Sequence, residues 1–286
     1  MTTAFVNGQY LPLAEARVSP MDRGFLFGDG AYEVIPVYSR RAFRLDAHIA
    51  RLASTLAAMR LANPHSTAEW QAIVGEIVAR NPWPDQSVYL QVTRGADTRR
   101  NHAFPGPEVM PTVFLMSEPL LTPSAEQLAS GVAAVSAADI RWLRCDLKTV
   151  SMLANCLLRQ HAIDHGCAET VLFRDSFLTE GAASSIFVCK DGVLLVPPKS
   201  HLMLPGITYD VVLELARTHG MKHEVREVLE AEVRSADELW MTSSTKEVLP
   251  ITTLDGRPVG DGKPGPMARQ MVAWYQAFKH TVMRNG

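Results

Sequence analysis

Apolar positions recur along the chain with both the helical and the strand period. Ile49, Leu52, Leu56 and Met59 share one helical face, which predicts a helix that Asp46 caps by accepting from its first free N–H groups. Other helices are predicted around 70–78, 150–166, 207–219 and from 266 onward. Residues 5–11 predict a hairpin around the Asn7-Gly8 turn. Strands are predicted over 31–38, 87–93, 109–116, 132–136, 169–173, 177–179, 185–189, 193–196 and 239–242. This mixture predicts an α/β (α+β mixed) fold.

The periodic pattern is interrupted once near the middle of the chain. Residues 117–124 contain two prolines and no apolar repeat, which is typical of a linker. We therefore predict a small N-terminal domain over 1–118, a linker over 119–124 and a larger C-terminal domain over 125–286. The glycines at 24, 28 and 30 predict a loop with unusual backbone angles.

Composition and charge narrow the possible functions. The 286 residues are 47% hydrophobic and carry 28 basic against 30 acidic residues, a net charge of −2. This balance excludes a disordered chain and gives no basic surface for nucleic acid. No apolar run reaches the ~20 residues of a membrane span, and the first residues do not form a signal peptide. We expect a cytoplasmic protein with no nucleic-acid or membrane partner.

Metal chemistry has little support in the sequence. The four cysteines form no CxxC pair, so neither a zinc knuckle nor a disulfide framework is expected. His161 and His165 are four residues apart, as are His219 and His223, but no carboxylate accompanies either pair in a known metal-binding pattern. We expect no metal, and a metal enzyme that uses these pairs is the last of the alternatives.

Lys148 is the first lysine of a chain with 21 arginines and only seven lysines. It lies among the apolar residues Leu147, Val150 and Met152. Taken alone, a surface lysine before a helix is the simpler interpretation. The functional interpretation is a Schiff-base lysine, since an amine in a partly desolvated pocket can attack an aldehyde.

A Schiff-base lysine that holds pyridoxal phosphate needs further residues around the phosphate and around the ring nitrogen of the cofactor. Its phosphate needs N–H groups at a helix start, hydroxyls and a cation, and its ring nitrogen needs an anion. The amides of Ile207 and Thr208, the hydroxyls of residues 242–245 and Arg51 can supply the first, and Glu180 the second. Each signal is weak alone, but a single cofactor would require all of them.

Six motifs, in this order, resemble the fold-type IV pyridoxal-phosphate enzymes over essentially the whole chain. They are Asp22-Arg23-Gly24 with Phe27-Gly28-Asp29-Gly30-Ala31-Tyr32-Glu33-Val34, His48-Ile49-Ala50-Arg51-Leu52, Asp146-Leu147-Lys148, Thr179-Glu180-Gly181, Leu204-Pro205-Gly206-Ile207-Thr208 and Thr242-Ser243-Ser244-Thr245-Lys246-Glu247. The resemblance implies two domains, a small N-terminal α/β lobe and a larger C-terminal lobe with a barrel-like sheet.

Two stretches resemble the D-amino acid transaminases within this family. One is 139–148, and the other is 91–95 followed by the loop residues 100–105, which contain Arg100-Asn101-His102. The resemblance implies that Arg100 and His102 reach across a dimer interface and hold the substrate carboxylate together with Tyr32. The loop is one residue longer than in the relatives, so Arg99 is an alternative to Arg100. Other departures are Ala182 and Ala183 in place of polar residues, and the local variants Pro36 and Pro205.

The resemblance also implies the remaining roles. Lys148 would form the Schiff base and move the proton, and Glu180 would pair with the ring nitrogen. Leu204 would pack against the ring, and the phosphate would be bound by Arg51, Ser243, Ser244 and the amides of Ile207 and Thr208. The implied reaction transfers the amino group of a D-amino acid such as D-alanine to a 2-oxo acid such as 2-oxoglutarate, in a homodimer. Alternatives on the same fold are a branched-chain L-amino acid aminotransferase, an aminodeoxychorismate lyase and a cofactor-storing or regulatory protein without turnover.

Overall fold

Two compact units account for the chain in the computed structural model, which describes residues 2–285. Unit 1 comprises the residues up to Leu121 together with Leu147–Met152, and unit 2 comprises Thr122–Asp146 together with the residues from Leu153 onward. Among the described residues no helix is long and apolar enough to cross a membrane.

Unit 1 is an antiparallel sheet covered by helices. Its order is β2-β1-β6-β5-β3-β4, and the turn at Asn7-Gly8 joins its first two strands, as predicted. Apolar side chains of the sheet and of two helices form the core, in which Leu52, Trp70 and Leu90 are fully buried. The elements are β1 (Thr3–Val6), β2 (Gln9–Pro12), α1 (Arg23–Phe27), β3 (Gly30–Tyr38), β4 (Arg41–Ala42), α2 (Leu45–Ala58), α3 (Thr67–Arg80), β5 (Gln86–Thr93) and β6 (Thr112–Pro119).

Unit 2 contains a mixed nine-stranded sheet. The strand order is β12-β11-β10-β13-β14-β7-β8-β9, with β15 beside β14, and β9 comes back into contact with β10, so the sheet curls. The elements are α4 (Ala125–Ser130), β7 (Val132–Ala138), α5 (Leu153–Asp164), β8 (Glu169–Arg174), β9 (Phe177–Gly181), β10 (Ser185–Lys190), β11 (Val193–Val196), α6 (Ile207–Thr218), β12 (His223–Val225), α7 (Glu230–Arg234), β13 (Glu238–Ser243), β14 (Glu247–Leu254), β15 (Arg257–Pro258) and α8 (Pro266–Phe278).

The segment 147–152 belongs to unit 1 although the residues on both sides of it belong to unit 2. The sequence division assigns these six residues to the C-terminal domain. Backbone pairing gives the physical reason for the difference: Ala31 and Thr149 form an antiparallel bridge, and Val150 N donates to Gly30 O at 2.9 Å. The predicted helix therefore does not begin at Val150, and α5 starts at Leu153.

Three other local predictions need correction. Asp46 does not cap α2, which begins at Leu45 after Arg44 in the left-handed region; Asp46 lies in the first turn. The glycine-rich segment contains the short helix α1, capped by the Asp22 carboxylate, although Gly28 has the expected positive φ of 67°. β6 begins at Thr112 rather than at residue 109, because Pro111 has no N–H to pair.

Candidate active site

The backbone around Lys148 is held against the start of β3. Tyr32 N donates to Lys148 O at 2.9 Å, and Lys148 N lies 3.4 Å from Thr55 Oγ1 on α2. The Lys148 Nζ atom lies 4.2 Å from the centroid of the Tyr32 ring, and this ring stacks on Tyr89 at 5.7 Å. Two residues singled out in the sequence, Lys148 and Tyr32, are thus in direct contact.

Arg51 is paired with a carboxylate that the sequence analysis assigned no role. Its Nε and Nη2 atoms donate to Glu33 Oε1 and Oε2 at 2.8 and 2.7 Å. His48, one turn earlier on α2, places Nδ1 2.8 Å from Glu33 Oε2. Burial raises the pKa of Glu33, but Arg51 and His48 outweigh it and lower that pKa to about 2. Helical spacing of His48 and Arg51, three residues apart, was the available signal for this cluster.

One buried nitrogen in this cluster has no partner. In the part of the chain that the structure describes, His48 Nε2 makes no hydrogen bond although it is buried. Burial lowers the pKa of His48 despite the nearby Glu33 carboxylate. An unsatisfied buried polar atom is costly, so this nitrogen is available to a group that enters beside Arg51.

Arg100 and His102 lie on an exposed loop and share one apolar neighbour. The Arg100 guanidinium is 4.8 Å from the centroid of the Phe27 ring, and the His102 ring is 5.2 Å from it. Within residues 2–285 the structure shows no hydrogen bond or ion pair from either side chain to Tyr32 or Lys148. The loop pair and the lysine therefore remain separate groups within unit 1.

In unit 2, Glu180 accepts hydrogen bonds from two directions. It lies on β9, 5% exposed, and accepts from Arg141 Nη1 and from the backbone N of Leu204, the latter 3.2 Å from both oxygens. Burial raises the pKa of Glu180 to about 7, against the opposing effect of Arg141. The contact brings together Glu180 and Leu204, which the sequence analysis had named separately.

Arg141 is a neighbour of Glu180 to which the sequence analysis assigned no role. Its Nε and Nη2 atoms donate to Asp139 at 2.9 and 2.8 Å, and Asp139 also accepts from Thr179 Oγ1 at 3.0 Å. The pKa of Arg141 is raised although burial lowers it, because Asp139 and Glu180 favour the charged form. The guanidinium is therefore a fixed positive charge beside Glu180.

The start of α6 has no side-chain cap among the described residues. Gly206 is its N-cap residue and has no side chain that could accept from the first N–H groups. Ile207 and Thr208 are the first two helical residues, both buried. A Cβ atom at Gly206 would lie 3.2 Å from Ser185 Oγ, so a side chain here would crowd that hydroxyl. Such a helix start attracts anions.

The β13–β14 hairpin carries the hydroxyls that the sequence analysis singled out. Ser243 Oγ accepts from Lys246 N at 3.1 Å, Ser244 is half-buried, and Thr242 Oγ1 is buried with no partner among the described residues. Glu247 closes the loop at φ +53°, a conformation that usually needs glycine. Its carboxylate accepts from Lys279 Nζ at 2.8 and 3.0 Å.

Comparison with known proteins identifies the chain. The family model described as "Amino-transferase class IV" matches residues 30–254. The chain belongs to the class IV aminotransferases. Among the curated class IV relatives, the D-alanine aminotransferase of Bacillus licheniformis is 40% identical over 265 residues, 93% of each chain. That of Staphylococcus haemolyticus is 34% identical over 278 residues, 97% of this chain and 98% of the relative.

Solved class IV aminotransferases share the fold. The branched-chain amino acid aminotransferase of Escherichia coli superposes with a TM-score of 0.89 at 25% identity, covering 98% of this chain and 94% of that one. The branched-chain amino acid aminotransferase of Thermoproteus uzoniensis, solved with norvaline, gives a TM-score of 0.87 at 21% identity, covering 97% and 95%. The expected mixed α/β fold with a curled sheet in its second part is confirmed.

Proposed function

We propose that this protein transfers the amino group of a D-amino acid, D-alanine or one similar to it, to a 2-oxo acid such as 2-oxoglutarate. The observation that carries the proposal is similarity over nearly the whole chain to D-alanine aminotransferases, at 34–40% identity. The loop with Arg100 and His102 supports it, because a guanidinium fork and an imidazole suit a small carboxylate.

We further propose that the cofactor is pyridoxal 5'-phosphate, and the residues present fit it. Among the described residues, α6 begins without a side-chain cap, and the Thr242 hydroxyl and His48 Nε2 are buried without a hydrogen-bond partner. These groups could bind the cofactor. In this proposal the phosphate is held by Arg51, Ser243, Ser244 and the amides of Ile207 and Thr208. When bound, the cofactor supplies an electron sink for the charge released at the substrate's α-carbon.

Three side chains would act around the cofactor ring. Lys148 Nζ would hold the cofactor by its aldehyde carbon. Once the substrate's amino group has displaced it, the free Nζ amine would accept the substrate's α-proton as general base and later donate a proton as general acid. Glu180 would accept from the protonated ring nitrogen, and Arg141 favours the charged carboxylate that this requires. Leu204 would pack on the ring, in register with Glu180 through its backbone N–H.

The substrate carboxylate would be bound by Arg100, His102 and Tyr32. We propose a homodimer in which each loop serves the partner's site, as the resemblance implies. In support, among the described residues the side chains of Arg100 and His102 make no hydrogen bond, ion pair or ring contact with Tyr32. A size measurement by light scattering tests this arrangement. A monomer that retains full activity would contradict it.

A branched-chain L-amino acid aminotransferase is the second candidate, because the Escherichia coli enzyme shares this fold at 25% identity. An aminodeoxychorismate lyase is the third. The absorbance of the cofactor-loaded protein separates them when D-alanine and L-leucine are added separately without a 2-oxo acid. We expect D-alanine alone to bleach the yellow colour, and 2-oxoglutarate to restore it. Bleaching by L-leucine alone would refute the D-amino acid proposal, and indifference to both would favour the lyase.

A further inference from the structure

The helix α1 has no part in the proposed reaction, yet one of its side chains binds the backbone of the loop 100–104, here called the carboxylate loop. Arg23 is 3% exposed. Its Nη1 donates to Asn101 O at 2.5 Å and to Ala103 O at 3.2 Å, and its Nη2 donates to His102 O at 3.3 Å. Three consecutive carbonyls of an exposed loop therefore converge on one buried guanidinium.

The positive charge of Arg23 is balanced beside the loop. Asp29 accepts from Arg23 Nε at 2.8 Å and from Arg94 Nε and Nη2 at 2.8 and 3.0 Å. Burial raises the pKa of Asp29, but its hydrogen bonds to the two guanidiniums outweigh this and lower the pKa. The Arg94 guanidinium lies 3.7 Å from the centroid of the Phe104 ring. The loop is thus held at its carbonyls and at its last side chain.

Phe27, at the end of α1, contacts the functional side chains themselves. Its ring centroid lies 4.8 Å from the Arg100 guanidinium, 5.2 Å from the His102 ring and 4.8 Å from the Arg23 guanidinium. A cation over an aromatic face is attracted by the ring electrons. A single ring is therefore in contact with both residues of the proposed carboxylate site.

We propose that Arg23 and Phe27 are positioning residues that hold Arg100 and His102 ready for the substrate carboxylate. This inference rests on the proposed function of that pair. An exposed loop without regular structure would otherwise lose conformational freedom at every binding event, and that loss would weaken substrate binding. If the loop is already fixed in the folded protein, this conformational entropy is lost during folding and no longer weakens substrate binding.

The test compares Arg23→Lys, Phe27→Leu and the control Arg17→Lys. Lysine keeps the charge but cannot donate to three carbonyls from a planar fork. Arg17 is an exposed arginine that also donates to two carbonyls, Ala14 O and Ala16 O, and none of its hydrogen bonds involves the loop. The measurements are kcat and KM for D-alanine, cofactor affinity by titration, and hydrogen exchange at residues 100–104.

We expect KM for D-alanine to rise about tenfold in Arg23→Lys, the order expected when two side chains must be ordered on binding. Phe27→Leu should also raise KM. In both variants hydrogen exchange at residues 100–104 should become faster, while cofactor affinity stays at the wild-type level. Arg17→Lys should match the wild-type protein in all of these measurements. If Arg23 acts through Arg100 and His102, adding Arg23→Lys to the double variant Arg100→Ala/His102→Ala should raise KM no further.

Two results would overturn the inference. One is faster exchange in the loop with an unchanged KM, and the other is loss of cofactor affinity in parallel with KM. Failure of the proposed function gives a different result, because the wild-type protein would then process L-leucine and not D-alanine. The positioning test would in that case be run on the accepted amino acid, with the same two refuting results.

Discussion

Removing the guanidinium beside Glu180 should change the pH range in which the enzyme works. Burial raises the pKa of Glu180 to about 7, and Arg141 keeps it from rising further. An adjacent opposite charge lowers a carboxyl pKa by about 1–3 units, so Arg141→Met should raise the pKa of Glu180 into the range of about 8–10. At pH 8 the ionised fraction would then fall from about nine-tenths to about one-half or less.

The direct assay is an infrared titration of the cofactor-free protein, with the spectrum of Glu180→Gln subtracted. In Arg141→Met the acid limb of the pH profile of kcat/KM for D-alanine should move to higher pH, because activity requires the charged Glu180 carboxylate. Arg144→Met is the matched control: Arg144 pairs with Asp146 and is about half exposed. An acid limb at the wild-type position in Arg141→Met would refute the reasoning, provided that the variant melts normally.

Other perturbations test the rest of the site. Lys148→Ala should still bind the cofactor but lose nearly all turnover of D-alanine, followed by absorbance at one wavelength. Normal turnover would contradict the role of Lys148 as the Schiff-base residue. Replacing Arg100 and His102 together should raise KM for D-alanine far more than it weakens cofactor binding in a titration. Glu33 has a pKa lowered from 4.5 to about 2, which contributes about 3 kcal/mol of stability above pH 5. That contribution is lost as pH falls towards 2. The free energy of unfolding, measured with urea, should therefore fall less steeply with decreasing pH in Glu33→Gln than in the wild-type protein. An equally steep fall in both proteins would contradict the ion pair.

Local chemistry made parts of the fold predictable. The Asn7-Gly8 turn, the helix that starts at Pro266 and the helix end before Gly220 all depend on backbone preferences of one or two residues. The apolar repeat of α2 predicted its buried face. These features need no information from distant parts of the chain.

Features that depend on tertiary contacts were not predictable. The apolar residues around Lys148 predict the start of a helix, but the N–H of Val150 donates to Gly30 O instead of continuing a helix. Arg141 lies 39 positions from Glu180, so no spacing rule connects them. The site roles remain predictions carried by the resemblance; the contact between Glu180 and the N–H of Leu204 could be seen only in three dimensions.

The return of residues 147–152 to unit 1 has a consequence for how the protein can be made. Val150 must be synthesised before the backbone groups of Gly30 and Tyr32 can both obtain their partners, Val150 and Lys148. An N-terminal fragment that stops at residue 121 would lack this segment, and a C-terminal fragment would carry Lys148 without β3 to hold it. Two pieces divided at residue 121 would therefore each lack part of unit 1, and the lysine segment would pair with β3 only if the pieces reassociated.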